Sequence, residues 1–353
     1  MKLTRRKFVA ASAPLLAMTH VSCQSVITRK NSMSFQKPKS IQPGATVGLI
    51  CPASPIAVER VERSAAYLKQ RGYEVRLGNH LTEEYLCDLS GTDEQRLSDL
   101  NGMIQNSGID AIFTLRGGYG CNRLLDRIDY KALSATPKWI TGFSDITALH
   151  AALFQMTGVI TMHGPAFGYS FGGESPAHDF VAEDFWDLVE GRTQVGPLRF
   201  VHDHSWSNID ALKTCVGGKA QGRLVGGNLS RLASMAGTPW ALKGDDDLIF
   251  FIEDVDEAAY RVDRYITQLR DAGVFARVKG LVIGQHYPSD DDAETEAPLL
   301  VNVLERQAEA IGAPALAGVP IGHHAYNSAL AHGALVELDA DKQTLSYLEP
   351  LTA

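Results

Sequence analysis

The sequence contains no Cys-x-x-Cys pair, no His-Glu-x-x-His, no Gly-x-Gly-x-x-Gly and no apolar run of bilayer length. Each absence removes a class of function. Cys23, Cys51, Cys87, Cys121 and Cys215 are scattered, so they form neither a paired-cysteine metal site nor a dithiol redox motif. Most of them are expected to be buried as small apolar residues. Without the paired-histidine motif, and with His202-Asp203-His204 lacking a third ligand nearby, no metal is expected. The first apolar strand leads into Pro52-Ala53-Ser54-Pro55 rather than a glycine-rich phosphate loop, so no nucleotide cofactor is expected either. No internal repeat is present.

What remains is ordinary globular material: 353 residues, 45% hydrophobic and 21% charged, a length that favours two domains. Residues 1–25 stand apart. Thr4-Arg5-Arg6-Lys7-Phe8 is a basic start with adjacent arginines, and Phe8 to Met18 is an apolar run too short for the ~20 residues that span a bilayer. This is the pattern of a secretory signal, and the twin arginines point to the Tat route, so export to the periplasm is expected. Val21-Ser22-Cys23 resembles a lipoprotein box that would anchor the chain to a membrane through a lipidated Cys23. Simple cleavage nearby is the alternative. Residues 26–40 read as a polar tether. Residues 1–30 carry six basic residues and no acid, so their removal takes the formal charge from −8 to −14. A surface that acidic repels phosphate backbones and excludes nucleic acid as a partner.

From residue 41 onward, short apolar runs alternate with helical periodicity. Ala45–Cys51, Tyr73–Leu77, Ala111–Leu115 and Trp139–Thr141 read as strands. Ile56–Arg71, Asp93–Asn106 and a segment ending near Met156 read as helices. The alternation predicts an α/β fold, with a parallel-sheet N-terminal domain over 41–170. Residues 171–214 read as the connection between domains. A second, smaller domain of mixed strands and helices is expected over 215–350, including strands at 247–252 and 278–283 and helices at 263–272 and 299–311.

Four places carry candidate chemistry. Gly142-Phe143-Ser144-Asp145-Ile146-Thr147 lies between a strand and a helix, where a tight turn lifts a side chain above the sheet edge. Ser144 there is either a nucleophile, with the Asp145 N–H as an oxyanion donor, or a helix cap. Arg116-Gly117-Gly118-Tyr119-Gly120 follows a strand, and the Gly118 amide is the simplest second donor, a plain turn being the alternative. Glu253 ends an apolar run, so its carboxylate must be paired or lie in a cleft; Asp254, Asp256 and Glu257 look like a solvated acidic loop. Gly322-His323-His324 follows another strand, and only one of the two histidines can serve a serine as base.

Taken in order, these motifs resemble the LD-carboxypeptidase family of serine peptidases, which includes muropeptide carboxypeptidases and microcin-immunity peptidases. The matching stretches are Gly91-Thr92-Asp93-Glu94 with Arg96, Arg116–Gly120, Gly142–Thr147, His163-Gly164-Pro165, Gly226-Gly227-Asn228-Leu229, Glu253-Asp254-Val255 with Tyr260–Arg264, and Ile321-Gly322-His323. The resemblance covers about residues 41–350. It implies a triad of Ser144, His323 and Glu253, an oxyanion hole from the Gly118 and Asp145 amides, a site between the two domains, and a homodimer. It implies hydrolysis of an L–D peptide bond, with release of terminal D-Ala from peptidoglycan tetrapeptide stems. A different peptide conjugate, or a non-catalytic solute-binding role, is the competing reading. The chain departs from the family at Leu330-Ala331-His332-Gly333, where a Leu-Pro-like stretch is usual. That segment falls close to the presumed site and bears on substrate preference.

Overall fold

The computed structural model describes residues 35–175, 177–200, 211–243, 246–288 and 293–353. The signal at 1–25, Cys23, the first part of the tether and the His202-Asp203-His204 triplet lie outside the described residues.

The first half alternates as its periodicity predicts: β1 (Thr46–Ile50), α1 (Val58–Gln70), β2 (Glu74–Leu77), a small hairpin of β3 (Glu84–Tyr85) and β4 (Leu89–Ser90), α2 (Asp93–Gln105), β5 (Ala111–Thr114), α3 (Tyr130–Ala135), β6 (Trp139–Gly142), α4 (Thr147–Thr157) and β7 (Thr161–His163). The strands β2, β1, β5, β6 and β7 pair in parallel, in that order. β1, β5 and β6 are buried on both faces, which is why they read as continuous apolar runs. Thr92 opens α2 with a capping box closed by Gln95. α4 is buried around nearly its whole circumference and stops at Gly158 in the left-handed region.

The second half continues with α5 (Phe167–Ser170), α6 (Asp179–Val189), β8 (Gly196–Pro197), β9 (Lys213–Val216), β10 (Lys219–Asn228), α7 (Leu229–Met235), β11 (Leu248–Val255), α8 (Ala259–Asp271), β12 (Val278–Tyr287), α9 (Ala293–Ile311), β13 (Ala315–Ala317), β14 (Leu330–His332), β15 (Leu335–Asp339) and β16 (Thr344–Tyr347). Eight strands form a second, mixed sheet in the order β8-β16-β15-β10-β11-β12-β13-β9, with β10, β11, β12 and β13 parallel. β14 instead joins the first sheet, antiparallel to β7.

Two features of this half tie it to the first. The stretch read as an inter-domain connection contains α6, whose Phe185 and Trp186 pack among Tyr67, Phe113, Phe167 and Phe171. The glycine-rich run after Gly222 is the central strand β10. A Cβ at Gly226 would lie 1.9 Å from the Phe251 carbonyl oxygen, and one at Gly227 would lie 2.4 Å from Thr147 Oγ1. Both positions have positive φ, so glycine is needed for conformation and for close approach alike. The approach lets the Asn228 N–H donate to Thr147 Oγ1 at 2.9 Å. The end of β10 is thereby tied to the first turn of α4, and the two sheets meet at the segment that carries Ser144.

Candidate active site

Ser144 sits immediately after β6, between extended Phe143 and the helical turn into α4. Its φ is +62°, a conformation that costs a non-glycine residue about 1–3 kcal/mol and persists only where the surroundings enforce it. Gly142 has φ +145°, and a Cβ there would meet Thr114 Oγ1 at 2.2 Å. The sharp strand-to-helix turn therefore needs glycine at 142 and projects the serine hydroxyl out of the sheet. Ser144 is the N-cap neither of this turn nor of α4, those positions being Phe143 and Ile146, and its hydroxyl is hydrogen-bonded to His323 instead.

The hydroxyl faces His323. Ser144 Oγ and His323 Nε2 are 3.1 Å apart, and His323 Nδ1 lies 2.8 Å from Glu253 Oε2. The structure thus joins three residues that are far apart in sequence into one hydrogen-bonded chain. His324 points elsewhere: its Nδ1 accepts the Tyr326 N–H at 3.1 Å. Of the two adjacent histidines, His323 is the one within hydrogen-bond reach of Ser144. Gly322 makes the loop possible, because at φ +111° a Cβ there would lie 2.7 Å from Glu253 Oε2. Asn327 accepts the Gly322 N–H at 2.9 Å and holds this turn.

Glu253 is fully buried on β11, in register with Asn228 of β10. Burial alone would raise its pKa, but the His323 imidazole opposes that by charge and hydrogen bond, and the net direction is downward. For His323 the same balance runs the other way. Burial disfavours the imidazolium, the Glu253 charge and hydrogen bond favour it, and the pKa ends above its ordinary value. The Phe143 ring packs 4.7 Å from the His323 ring, centroid to centroid.

The loop Arg116–Gly120 lies beside the serine. A Cβ at Gly117 would stand 3.0 Å from Ser144 Cβ, and one at Gly118, where φ is +106°, would strike Ser54 Oγ. Ser54 staples this loop, its N–H donating to the Gly117 carbonyl and its hydroxyl accepting the Tyr119 N–H. From the other side buried Arg96 donates to the Pro52 and Gly120 carbonyls at 2.6 and 3.1 Å. The Gly118 and Asp145 N–H groups make no bond to a protein acceptor among the described residues. The Asp145 carboxylate is buried and accepts the Cys121 N–H at 2.8 Å, with Arg231 of α7 at 3.5 Å. Burial pushes its pKa up against those donors. Asp145 therefore ties the serine turn to the glycine loop and to the second half of the chain.

Three expectations are corrected by the structure. Asp254 is not solvated: it is 3% exposed and accepts from Asn228 Nδ2 and the Ser230 N–H, both at 2.8 Å. Burial, with the charge of neighbouring Glu253, pushes its pKa up to about 6. Leu330–His332 does not line the cavity over Ser144. His332 is fully buried, stacked on His150 and edge-on to Phe154 and Phe251. Of the four described cysteines, all free, only Cys51 and Cys121 are buried; Cys87 is exposed and Cys215 half-buried.

A cavity of about 490 Å³ opens over the serine, walled by Arg116, Gly118, Phe143, Tyr169, His323 and His324 among others. The arrangement brings together a hydroxyl, an imidazole hydrogen-bonded to a buried carboxylate, and two backbone N–H groups with no protein acceptor among the described residues, all beside one cleft. That is the equipment of acyl transfer through a covalent intermediate.

Comparison with known proteins agrees with this chemistry. Residues 47–164 match the LD-carboxypeptidase N-terminal domain, and residues 221–338 match the LD-carboxypeptidase C-terminal domain. A probable murein peptide carboxypeptidase of Bacillus subtilis is 33% identical over 308 residues, covering 87% of this chain and 93% of that protein. The murein tetrapeptide carboxypeptidase of Pseudomonas aeruginosa is 34% identical over 300 residues, covering 84% and 94%. Among solved structures, MccF in complex with glutamyl sulfamoyl guanosine superposes with a TM-score of 0.77 at 26% identity, covering 90% of this chain and 99% of that one. The chain belongs to the LD-carboxypeptidase family.

Proposed function

We propose that the protein is a serine carboxypeptidase that cleaves an L–D peptide bond and releases terminal D-Ala from peptidoglycan tetrapeptide stems. The observation that carries this reading is the Ser144–His323–Glu253 chain at 3.1 and 2.8 Å. His323 Nε2 takes the Ser144 proton as Oγ attacks the scissile carbonyl carbon. The carbonyl oxygen becomes an oxyanion facing the Gly118 and Asp145 N–H groups. Glu253 holds the Nδ1–H tautomer and stabilises the imidazolium. The imidazolium then protonates the leaving amine, the C–N bond breaks and D-Ala departs. Water, deprotonated by the same imidazole, hydrolyses the Ser144 ester and returns the proton to Oγ. No step calls for a metal or a cofactor.

The murein peptide and tetrapeptide specificities named for two relatives support the stem-peptide substrate. The MccF likeness supports a second reading, an aminoacyl sulfamoyl nucleoside or similar conjugate. A solute-binding role does not require three such side chains to converge, and their convergence weighs against it. Incubating the purified protein with each compound and weighing the products by mass spectrometry separates the readings. Loss of one alanine mass from the tetrapeptide, with the conjugate intact, is expected. Cleavage of the conjugate alone would replace the stem-peptide reading.

Export by the twin-arginine signal places the enzyme in the periplasm, free or anchored through a lipidated Cys23. A reporter fused to residues 1–40 that stayed in the cytosol would end that reading. The quaternary state we infer is a homodimer, which sedimentation would detect as twice the mass of one mature chain.

A further inference from the structure

We propose that Arg116 is the group that reads the free C-terminal carboxylate of the substrate and so makes this cleft a carboxypeptidase site; the proposal rests on the carboxypeptidase reading above. The substrate of a carboxypeptidase carries its α-carboxylate one residue beyond the scissile carbonyl. One residue of extended chain spans about 3.3–3.6 Å. A cation that recognises the carboxylate must therefore share the cleft with Ser144.

Arg116 meets that condition. It walls the same cavity as Ser144 and His323, and among the described residues that line it Arg116 is the only Lys or Arg. Its neighbour Gly117 packs directly against Ser144, where a Cβ would lie 3.3 Å from Oγ. The other basic side chains in the wall do not provide a fixed charge. His323 is the base and must be neutral to act, and burial lowers the pKa of His324 below its ordinary value. A guanidinium stays charged throughout the working pH range.

The guanidinium is also pre-positioned. Nη1 donates to the Pro55 carbonyl at 2.6 Å, and Nη2 donates to Asp88 Oδ2 at 3.1 Å. These are two of its five N–H donors, so others remain for a carboxylate. Asp88 is more than half exposed while the Arg116 side chain is 31% exposed. The pair orients the guanidinium from the rim without enclosing it. The Pro55 bond comes from the segment that also supplies Ser54, the staple of the glycine loop. Carboxylate binding and the oxyanion donors are thus built on one rigid framework. On a protein with a net charge of −8, an anionic substrate end needs such a local cation.

The test compares two tetrapeptides, one ending in D-Ala with a free carboxylate and one ending in D-Ala amide. Initial rates are measured on the wild type, Arg116→Gln and Arg116→Lys. The wild type is expected to favour the free acid by about 100-fold in kcat/KM, because the amide leaves the guanidinium without its anion. Arg116→Gln is expected to lower kcat/KM for the acid by about 100-fold, mainly through KM, while changing the amide far less, so that the ratio falls toward one. Arg116→Lys, which keeps the charge but not the fork, is expected to restore part of the preference. An acid-to-amide ratio that survives in Arg116→Gln or is matched by the wild type at one would overturn the assignment while leaving the carboxypeptidase reading intact. A wild type that cleaves the terminal residue from neither peptide would overturn both.

Discussion

Replacing Glu253 by Gln probes the part of the site that is most completely buried. Glu253 accepts the His323 Nδ1–H at 2.8 Å, and this fixes the tautomer whose Nε2 lone pair faces Ser144. A glutamine amide can instead donate to Nδ1, which places the proton on Nε2 and turns a base into a donor. The corresponding acid-to-amide change in a serine protease triad costs about 10⁴ in kcat with the geometry intact. At 1.36 kcal/mol per tenfold, that is about 5 kcal/mol of transition-state stabilisation. The expected result for Glu253→Gln is therefore a fall in kcat of about 10³–10⁴ with KM little changed. The pH profile carries a second signature. In the wild type the rate rises as His323 loses its proton, at a pKa above 6.5 because burial is outweighed by the Glu253 charge and hydrogen bond together with the charges of Asp254 and Asp256. In the variant the two contributions of Glu253 are gone and burial is opposed only by the charges of Asp254 and Asp256, so the acid limb is expected to move down. Stability follows the opposite sense. The imidazolium–carboxylate pair contributes fully below the unfolded imidazole pKa and fades as pH rises through the raised folded value. D-Ala release followed from pH 5 to 9 measures both features. A kcat within tenfold of wild type, or an acid limb that does not move, would refute the reasoning.

Gly322→Ala places a Cβ 2.7 Å from Glu253 Oε2 and 2.8 Å from Glu253 Cβ at a residue with φ +111°. Because Glu253 is buried, the loop must shift; a drop of at least about 100-fold in kcat with a lowered Tm is expected, and full activity would show that the turn is not needed. His332→Leu acts on acid stability. The buried ring stays neutral in the fold, its pKa pushed well down by burial, while the unfolded chain binds a proton below about 6.5. Stability is then lost as pH falls below that value, by about 2 kcal/mol at pH 5 for this residue. Thermal unfolding of the variant is expected to show a smaller gap between pH 7.5 and pH 5 than the wild type. An unchanged gap would mean that His332 is not the titrating group.

How far the sequence discloses the site depends on the range of each interaction. Ser144 was legible because a buried strand, a glycine and a helix follow one another locally. Its φ of +62° was not, since the turn packs against Thr114, beside Gly142, and against Gly117, both from other segments. The apolar run before Glu253 announced a buried carboxylate, but nothing nearby announced its partner 70 residues later. His323 and His324 are equivalent on local grounds, and only the Asn327 bond and the glycine at 322 turn one toward Ser144. Asp254 reads as solvated within an acidic run because its donors, Asn228 and Ser230, belong to a different strand and helix. β10 escaped notice because glycine is a poor strand former, and its glycines answer to Phe251 and Thr147 rather than to propensity. Pairing of Leu330–His332 with β7 joins segments nearly 170 residues apart, and such pairing leaves no local trace.

The nucleophile itself is the central claim, and Ser144→Ala tests it most directly. Purified wild type and variant are incubated with a disaccharide tetrapeptide, and the product is weighed by mass spectrometry. Loss of one alanine mass with the wild type, and none above background with Ser144→Ala, is the expected result. Release of alanine by the variant at a rate near that of the wild type would contradict the assignment of Ser144 as the attacking group.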